Sequence, residues 1–399
     1  MRDVEIARNV YWIGVNDRTT DLFEGIWPIT EAGVTYNAYL VAGRKKAVVD
    51  LSKAIKTDEF LGQISDILPP SELDYLILNH MEPDHTGVLK TLRAIAPAAT
   101  ILGTPKLVSM LESWFGITEN VRAVKDGEEL DLGDRKLQFF HAPFVHWPET
   151  MVTYDPGNGI LFSCDAFGGY GAMRGTVFDD ECLDKPFYIR ESLRYYVNIV
   201  AKFSSNVLRA IDKLGGLDIR MVAPSHGLIW RKEPGLIIEL YRKWAGYAAG
   251  EPEKGVTLLY GSMYGYTEKT MNAVAQGISG AGIPVEIFDV ARTHPSYILP
   301  ALWTHKGVMI GAPTYETNLF PPMQYVLHLC DLKRIHGRRY AVFGSYGWSG
   351  GAFKHTRQIV EPLQWELQGS FEFVGSPKPQ DLKAAEEFGK TFAQAIKES

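Results

Sequence analysis

The strongest constraint on the fold is a strict alternation of apolar strands and amphipathic helices that begins near residue 255. Apolar runs such as GVTLLYGS, KGVMIGAPTY and RRYAVFGSYG alternate with segments of helical spacing, and a last helix is predicted from about Gln380. Five such strands over about 145 residues are typical of crossover connections and not of hairpins. The alternation therefore predicts a parallel, doubly wound sheet over residues 254–399.

The first 250 residues instead contain short strands in pairs, interrupted by helices. Glycine-containing turns separate the runs at 4–15, 34–43 and 46–51, which predicts an antiparallel meander. Apolar residues recur at three and four positions in PKLVSMLESWFG (105–116), which predicts an amphipathic helix. The small, polar segment AAGEPEKG (248–255) is interrupted by proline and is typical of a linker. We therefore expect two domains, over residues 1–250 and 254–399.

Charge and composition exclude several classes of function. The net charge of −6 offers no basic surface for nucleic acid. The chain contains no run of about 18 apolar residues and no signal-peptide pattern, so no membrane association is expected. The three cysteines are isolated, which predicts a reducing, cytoplasmic location and no iron–sulfur or rubredoxin-type centre within this chain.

A dense group of metal-ligand residue types follows the predicted buried strand LDYLILNH. The segment NHMEPDHTG (79–87) contains His80, Glu82, Asp84 and His85. Three further candidates follow at predicted strand ends, namely His146, Asp165 and His226. Each could have a structural role alone, and Asp84 could cap a helix. As a spaced set, four histidines and three carboxylates are enough for two ions that share a bridging carboxylate.

Glu82 bears on which metal would bind. A metallo-hydrolase loop usually has the pattern H-x-H-x-D-H, whereas this chain has Glu82 at the middle histidine position. A carboxylate in place of an imidazole makes the site harder and richer in oxygen, which favours iron over zinc.

Three loops of the second domain carry the features of a cofactor site. They occupy the carboxyl ends of predicted parallel strands, where ligands bind in open α/β sheets. Serine and threonine donors at the start of a helix are suited to bind a phosphate. No lysine stands in the Walker arrangement, which argues against ATP. The aromatic residues offer flat surfaces on which a ring can stack. The candidate cofactor-binding residues are Ser262, Met263, Tyr264, Gly265, Tyr266, Thr267, Pro313, Thr314, Tyr315, Asn318, Ser345, Tyr346, Gly347, Trp348 and Gly350.

These motifs together resemble a known family. The HMEPDH segment with His146, Asp165 and His226 resembles the diiron domain of the flavodiiron proteins, also called A-type flavoproteins. The three loops resemble the FMN loops of flavodoxin. The resemblance covers essentially the whole chain. It implies an α/β fold in which a metallo-β-lactamase-like αββα sandwich precedes a flavodoxin-like doubly wound parallel sheet.

The resemblance also implies roles for individual residues. One iron would be held by His80, Glu82 and His146, the other by Asp84, His85 and His226, and Asp165 would bridge them. In some members the histidine matching His85 swings away and a solvent molecule replaces it. Tyr195 matches a tyrosine that lines the family's pocket, although a core aromatic is the alternative. Many members have histidine in a G-Q-H context after the bridging aspartate, whereas this chain reads GGYG, so Tyr170 is expected in that place.

The implied function is an oxidoreductase that passes electrons from FMN to a non-haem diiron site, which reduces O₂ to water, NO to N₂O, or both. The implied donor is external, either rubredoxin or reduced coenzyme F420. The implied assembly is a head-to-tail homodimer or a dimer of such dimers. Two alternatives stay open. The chain could be a binuclear zinc hydrolase with a flavin-free flavodoxin-like appendage, or an electron-transfer or sensor module with a vestigial metal site.

Overall fold

The computed structural model describes residues 4–250 and 252–399. The chain divides into two compact units between Lys243 and Trp244, just before the predicted linker at 248–255. Trp244 lies in the second unit, where its carbonyl oxygen accepts a hydrogen bond from the indole N–H of Trp303 at 2.8 Å. The domain bounds 1–250 and 254–399 themselves stay a prediction.

Among its described residues, the first unit contains sixteen short strands and seven α-helices. The strands are β1 (Val4–Ala7), β2 (Val10–Trp12), β3 (Val15–Asp17), β4 (Leu22–Phe23), β5 (Trp27–Pro28), β6 (Val34–Tyr36), β7 (Tyr39–Ala42), β8 (Lys46–Val49), β9 (Tyr75–Ile77), β10 (Thr100–Gly103), β11 (Val121–Ala123), β12 (Glu129–Asp131), β13 (Lys136–His141), β14 (Met151–Asp155), β15 (Ile160–Cys164) and β16 (Met221–Pro224). The helices are α1 (Thr57–Ser65), α2 (Pro83–Thr86), α3 (Leu89–Ile95), α4 (Pro105–Phe115), α5 (Lys185–Tyr195), α6 (Ser204–Leu214) and α7 (Pro234–Gly246), which extends into the second unit.

Two mixed sheets form the centre of this unit. The larger has the order β1-β2-β7-β8-β9-β10-β11, and the smaller has the order β12-β13-β14-β15-β16. Strands β1, β2, β7 and β8 pair antiparallel, as the meander predicted. Helical connections then return the chain so that β8, β9, β10 and β11 run parallel. The two sheets pack together, with the rings of Tyr39 on β7 and Phe162 on β15 at 5.0 Å.

The second unit is a parallel sheet with helices between its strands. Its strands are β17 (Glu253–Tyr260), β18 (Val285–Asp289), β19 (His305–Gly311), β20 (Thr314–Tyr315), β21 (Asn318–Leu319), β22 (Arg339–Tyr346) and β23 (Glu366–Val374). Its helices are α8 (Tyr266–Gly280), α9 (Pro295–Thr304), α10 (Pro321–Leu332), α11 (Ala352–Val360) and α12 (Pro379–Lys397). The sheet order β18-β17-β19-β22-β23 is entirely parallel, which confirms the doubly wound prediction. The strand order reverses between β17 and β19, so this edge is the expected ligand crevice.

Close packing of α8 on α12 depends on glycine. A Cβ on Gly277 would lie 1.9 Å from the carbonyl oxygen of Glu386, and one on Gly389 would lie 2.2 Å from that of Val274. The two backbones therefore approach more closely than any side chain would allow. Within residues 4–250 and 252–399, no helix combines the length and apolar character needed to cross a bilayer.

Candidate metal centre and cofactor loops

Three of the seven predicted metal ligands follow strands of the first unit, and a fourth, His146, lies within a loop and not at a strand end as predicted. His80 follows β9, Asp165 follows β15 and His226 follows β16. His146 lies in the loop between β13 and β14. Because β15 and β16 are parallel neighbours, Asp165 and His226 come to the same edge of their sheet.

The short helix α2 orients the other three predicted ligands. Pro83 is its first residue, where the missing N–H leaves no hydrogen bond unmade. Glu82 occupies the N-cap position but makes no side-chain cap, so its carboxylate is available to the cluster. Asp84 and His85 lie in the first turn and are buried. Asp84 therefore does not have the capping role that was its structural alternative.

The first half of the cluster is formed by His80, Glu82, His146 and one oxygen of Asp165. Oε2 of Glu82 lies 3.1 Å from Nε2 of His146 and 3.3 Å from Nε2 of His80. Oδ2 of Asp165 lies 3.3 Å and 3.4 Å from the same two nitrogens. The four ligand atoms all lie within 4.8 Å of one another, a spacing that a single cation can span.

The second half is formed by Asp84, His85, His226 and the other oxygen of Asp165. Oδ1 of Asp165 lies 3.1 Å from Nε2 of His85 and 3.3 Å from Nε2 of His226. Oδ2 of Asp84 lies 3.3 Å from Nε2 of His226. Asp165 thus presents one oxygen to each half, which is the arrangement of a carboxylate that bridges two cations.

Unpartnered buried atoms show that this cluster fits metal ions. Within the described part of the chain, both carboxylate oxygens of Asp84 and Asp165 and the Nε2 atoms of His85 and His226 are buried with no hydrogen-bond partner. Such atoms are rare in folded proteins because an unmade buried hydrogen bond costs about 1–3 kcal/mol. Their convergence, with three carboxylates among seven side chains, fits two cations.

Contacts behind the ligands leave their Nε2 atoms facing the cluster. Nδ1 of His80 lies 2.6 Å from Oε1 of Glu149, and Nδ1 of His226 lies 2.6 Å from the carbonyl oxygen of Thr35. Both acceptors require a hydrogen on Nδ1, so the Nε2 lone pair of each ring is free to ligate. Sequence reasoning did not single out Glu149, although it stands in the FVHWPE segment that contains His146.

The pKa values of the histidines show that the cluster stabilises positive charge. Burial by itself lowers the pKa of His80, but hydrogen bonds to Glu149 and Glu82 raise it to about 10. Burial also opposes the charged form of His226, and the close contacts of its Nε2 atom with the carboxylates of Asp165 and Asp84 raise its pKa to about 10. A bound cation would take the place of the second proton on each of these rings, at Nε2.

Tyr195, the predicted catalytic residue, lies next to the second half of the cluster. It ends α5, is buried, and its ring centroid is 5.5 Å from that of His226. Burial is the largest cause that raises the pKa of its phenol well above the ordinary value, followed by the charge of Asp165. Tyr170 lies behind it, with ring centroids 5.2 Å apart, under the guanidinium of Arg194 at 4.4 Å.

The predicted cofactor residues lie in three loops at the carboxyl ends of β17, β19 and β22. The first loop contains Ser262, Met263, Tyr264 and Gly265 and leads into α8, which begins at Tyr266 and includes Thr267. The second contains Pro313 and the β20–β21 hairpin with Thr314, Tyr315 and Asn318. The third contains Ser345 and Tyr346 at the end of β22, then Gly347, Trp348 and Gly350. These loops flank the strand-order reversal between β17 and β19.

Side-chain contacts and exposure suit these loops to a phosphate-bearing aromatic ligand. The hydroxyls of Thr267 and Ser345 lie 3.2 Å apart and connect the first loop to the third. Helix α8 has Gly265 at its N-cap and no side-chain cap, so its first-turn N–H groups can face an anion. Trp348 is 92% exposed and Tyr264 is 81% exposed. Such exposure leaves large apolar rings free to stack on a flat ligand.

Comparison with known proteins gives the same division of the chain. Residues 34–227 match the family described as "ODP family beta lactamase", and residues 258–389 match the family "Flavodoxin". A nitric oxide reductase of Moorella thermoacetica is 33% identical over 400 residues, covering 98% of each chain. The anaerobic nitric oxide reductase flavorubredoxin of Escherichia coli K12 is also 33% identical, covering 98% of this chain and 82% of that protein.

A solved structure matches both units at once. Rubredoxin oxygen:oxidoreductase of Desulfovibrio gigas superposes with a TM-score of 0.93 at 28% identity, covering 100% of this chain and 99% of that one. The flavodiiron protein of Giardia intestinalis also superposes with a TM-score of 0.93, at 26% identity. Relatives that are 33% identical match this chain along its full length. The chain therefore belongs to the flavodiiron proteins and is an oxidoreductase.

Proposed function

We propose that this protein reduces O₂ to water, NO to N₂O, or both, at two irons held by the seven-residue cluster. FMN and the two irons, when bound, supply the electrons for these reductions. In this proposal His80, Glu82 and His146 hold one iron, Asp84, His85 and His226 hold the other, and Asp165 bridges. The three loops at the ends of β17, β19 and β22 hold FMN. Tyr195 provides a buried phenol beside the cluster.

The proposal is supported most directly by the carboxylate of Asp165, whose two oxygens face the two different halves of the cluster. Oδ2 lies 3.3 Å from Nε2 of His146, and Oδ1 lies 3.1 Å from Nε2 of His85. Both oxygens are buried without hydrogen-bond partners among the described residues. Glu82 adds a third carboxylate, and oxygen-rich sites of this kind favour iron.

The binuclear zinc hydrolase is not favoured. In that alternative the flavodoxin-like domain would bind no flavin. The proteins that match along the whole chain are instead reductases and flavodiiron proteins. A vestigial metal site is also disfavoured, because all seven predicted side chains converge on the cluster.

The electron donor and the assembly belong to the proposal as well. In this proposal the donor is external, either rubredoxin or reduced F420; the three cysteines of the described residues are free, and two of them are buried. Unpaired cysteines also support a cytoplasmic location. The exposed rings of Tyr264 and Trp348 support a head-to-tail homodimer or a dimer of dimers, in which a second copy covers the flavin loops.

The test is to mix the anaerobic, oxidised protein with each donor and then add the substrate. We expect stopped-flow absorbance to show rapid flavin reduction by reduced rubredoxin or by reduced F420, and the faster donor identifies the partner. An oxygen electrode and N₂O detection should then show turnover with O₂, NO, or both. A protein that neither donor reduces and that consumes neither gas would contradict the proposal.

A further inference from the structure

Glu149 is a buried carboxylate in direct contact with only one predicted iron ligand. It is 1% exposed, and its Oε1 lies 2.6 Å from Nδ1 of His80. The same oxygen accepts a hydrogen bond at 3.0 Å from the backbone N–H of Met81, the residue between His80 and Glu82. Glu149 therefore holds the His80 ring and the loop that leads to Glu82.

The other carboxylate oxygen of Glu149 has no comparable contact. Within residues 4–250 and 252–399, Oε2 of Glu149 is buried and has no hydrogen-bond partner. Among the ion pairs of the described residues, this carboxylate is paired with His80 alone, through its Oε1 and the Nδ1 of His80.

In the described part of the chain, the histidines of the other half have no such anionic hydrogen-bond partner at Nδ1. Nδ1 of His226 contacts the neutral carbonyl oxygen of Thr35 at 2.6 Å. Nδ1 of His85 has the thiol of Cys164 at 4.0 Å, which is a weak contact.

A carboxylate oxygen of Asp50 also lies within 4.8 Å of a ring nitrogen of His85. Both oxygens of Asp50, however, accept hydrogen bonds from Asn79. One accepts hydrogen bonds from the backbone N–H of Asn79 at 2.8 Å, and the other accepts from the amide of Asn79 at 3.0 Å. The carboxylate–histidine hydrogen bond is thus present in one half of the cluster and absent from the other among the described residues.

We propose that Glu149 is a positioning residue that makes the His80–Glu82–His146 half the more electron-rich of the two iron positions. A carboxylate that accepts the Nδ1 hydrogen of a ligating histidine fixes the ring and raises its basicity. A more basic ligand stabilises Fe(III) relative to Fe(II), so the iron in this half has the lower reduction potential. This inference rests on the proposed diiron function and adds an electronic difference between the two irons.

Replacing Glu149 with glutamine separates charge from orientation. Glu149→Gln keeps an oxygen that can accept from His80 but removes the negative charge. We expect about two irons per chain, as in the wild type, and a change in only one of the two ⁵⁷Fe Mössbauer doublets. We also expect the Fe(III)/Fe(II) affinity ratio of that iron to fall about tenfold, which is ~59 mV for a one-electron couple. The potentials would be measured by a mediated titration followed by EPR.

Two further variants complete the test. Glu149→Ala removes the acceptor, and we expect iron affinity to fall about 10- to 100-fold. Asp179→Asn removes another buried carboxylate, which accepts backbone N–H groups of Arg231 and Lys232 at 3.0 Å and 3.1 Å, away from the predicted ligands. This control should keep both iron signals unchanged.

The outcomes distinguish this inference from the proposed function. Equal changes in both doublets, no change in Glu149→Gln, or the same change in Asp179→Asn would overturn the role of Glu149. Wild-type protein that holds zinc in place of iron would instead overturn the proposed function.

Discussion

Among single residues, Glu82 decides the chemical character of the cluster. Its Oε2 lies within 3.3 Å of two histidine nitrogens, and its position at the N-cap of α2 directs the carboxylate toward them. Hydrogen bonds from His146 and His80 offset the burial of Glu82 and hold the pKa of its carboxyl well below the usual range. It is therefore an oxygen anion at neutral pH, as an iron ligand should be.

Glu82→His should shift metal uptake from iron toward zinc and abolish O₂ reduction. The substitution replaces a hard oxygen ligand by an imidazole, which suits zinc. Metal analysis of protein purified from cells supplied with both metals measures the shift. Glu59→His on α1, a half-exposed position, is the matched control and should keep iron. Retained iron with normal turnover in Glu82→His would show that this carboxylate does not select the metal.

Tyr195→Phe should lower kcat about 100-fold without loss of iron or FMN, if the phenol donates a proton at the cluster. Burial raises the pKa of Tyr195 well above its ordinary value, so the proton is present throughout neutral pH. Steady-state O₂ and NO consumption measures the effect. Tyr196→Phe is the control, because its hydroxyl contacts Ser204 at 2.7 Å. Equal rates in Tyr195→Phe and wild type would favour the core-aromatic alternative.

Sequence reasoning could predict the ligand types but not their supporting contacts. His80 to His85 stand in one short motif, and Asp165 and His226 follow strands that apolar runs reveal, whereas His146 lies within a loop. Glu149 is 69 residues from His80 and lies in contact with it only through the fold. A residue that acts through a hydrogen bond to a ligand has no characteristic spacing, so the sequence could not distinguish it from other glutamates.

At the scale of elements, the alternating pattern of the second unit correctly predicted its strands and helices. Helical and strand periodicities differ, and Pro252, Pro284 and Gly347 lie directly beside ends of β17, β18 and β22. Helix α8 begins at Tyr266, so the candidate phosphate donor Thr267 lies in its first turn, as a donor at a helix start should. The predicted run at 4–15 proved to contain two antiparallel strands, β1 and β2, because Asn9 adopts a left-handed φ of 59° in the turn between them. An apolar run does not reveal such a turn.

Trp348→Ala should weaken FMN binding about three- to tenfold, the contribution of one aromatic stacking contact. The ring is 92% exposed, so its removal should leave the fold unchanged. Titration of the apoprotein with FMN, followed by flavin fluorescence, gives the Kd. Tyr325→Ala on α10 removes an aromatic ring that is 49% exposed and should leave the Kd unchanged. The same Kd in Trp348→Ala and wild type would remove this ring from the flavin site.

At the scale of the whole molecule, the proposed homodimer predicts electron transfer between subunits. One variant, Asp165→Ala, loses the bridging carboxylate and should lack the irons. A second variant, Ser262→Asp, adds a carboxylate beside the start of α8 and should repel the FMN phosphate. Mixed dimers of the two should recover activity, because the flavin of one subunit serves the irons of its partner. Dimers of either variant alone are the controls. Mixed dimers without activity would contradict transfer between subunits.

The central claim is that the first unit binds iron and the second binds FMN in one oxidoreductase. The most direct test is the metal and flavin content of the purified protein, by elemental analysis and visible absorbance. We predict about two irons and one FMN per chain, because the seven candidate ligands form two halves that share Asp165 and the three loops are the one candidate flavin site. Two zinc ions per chain with no flavin absorbance would contradict it.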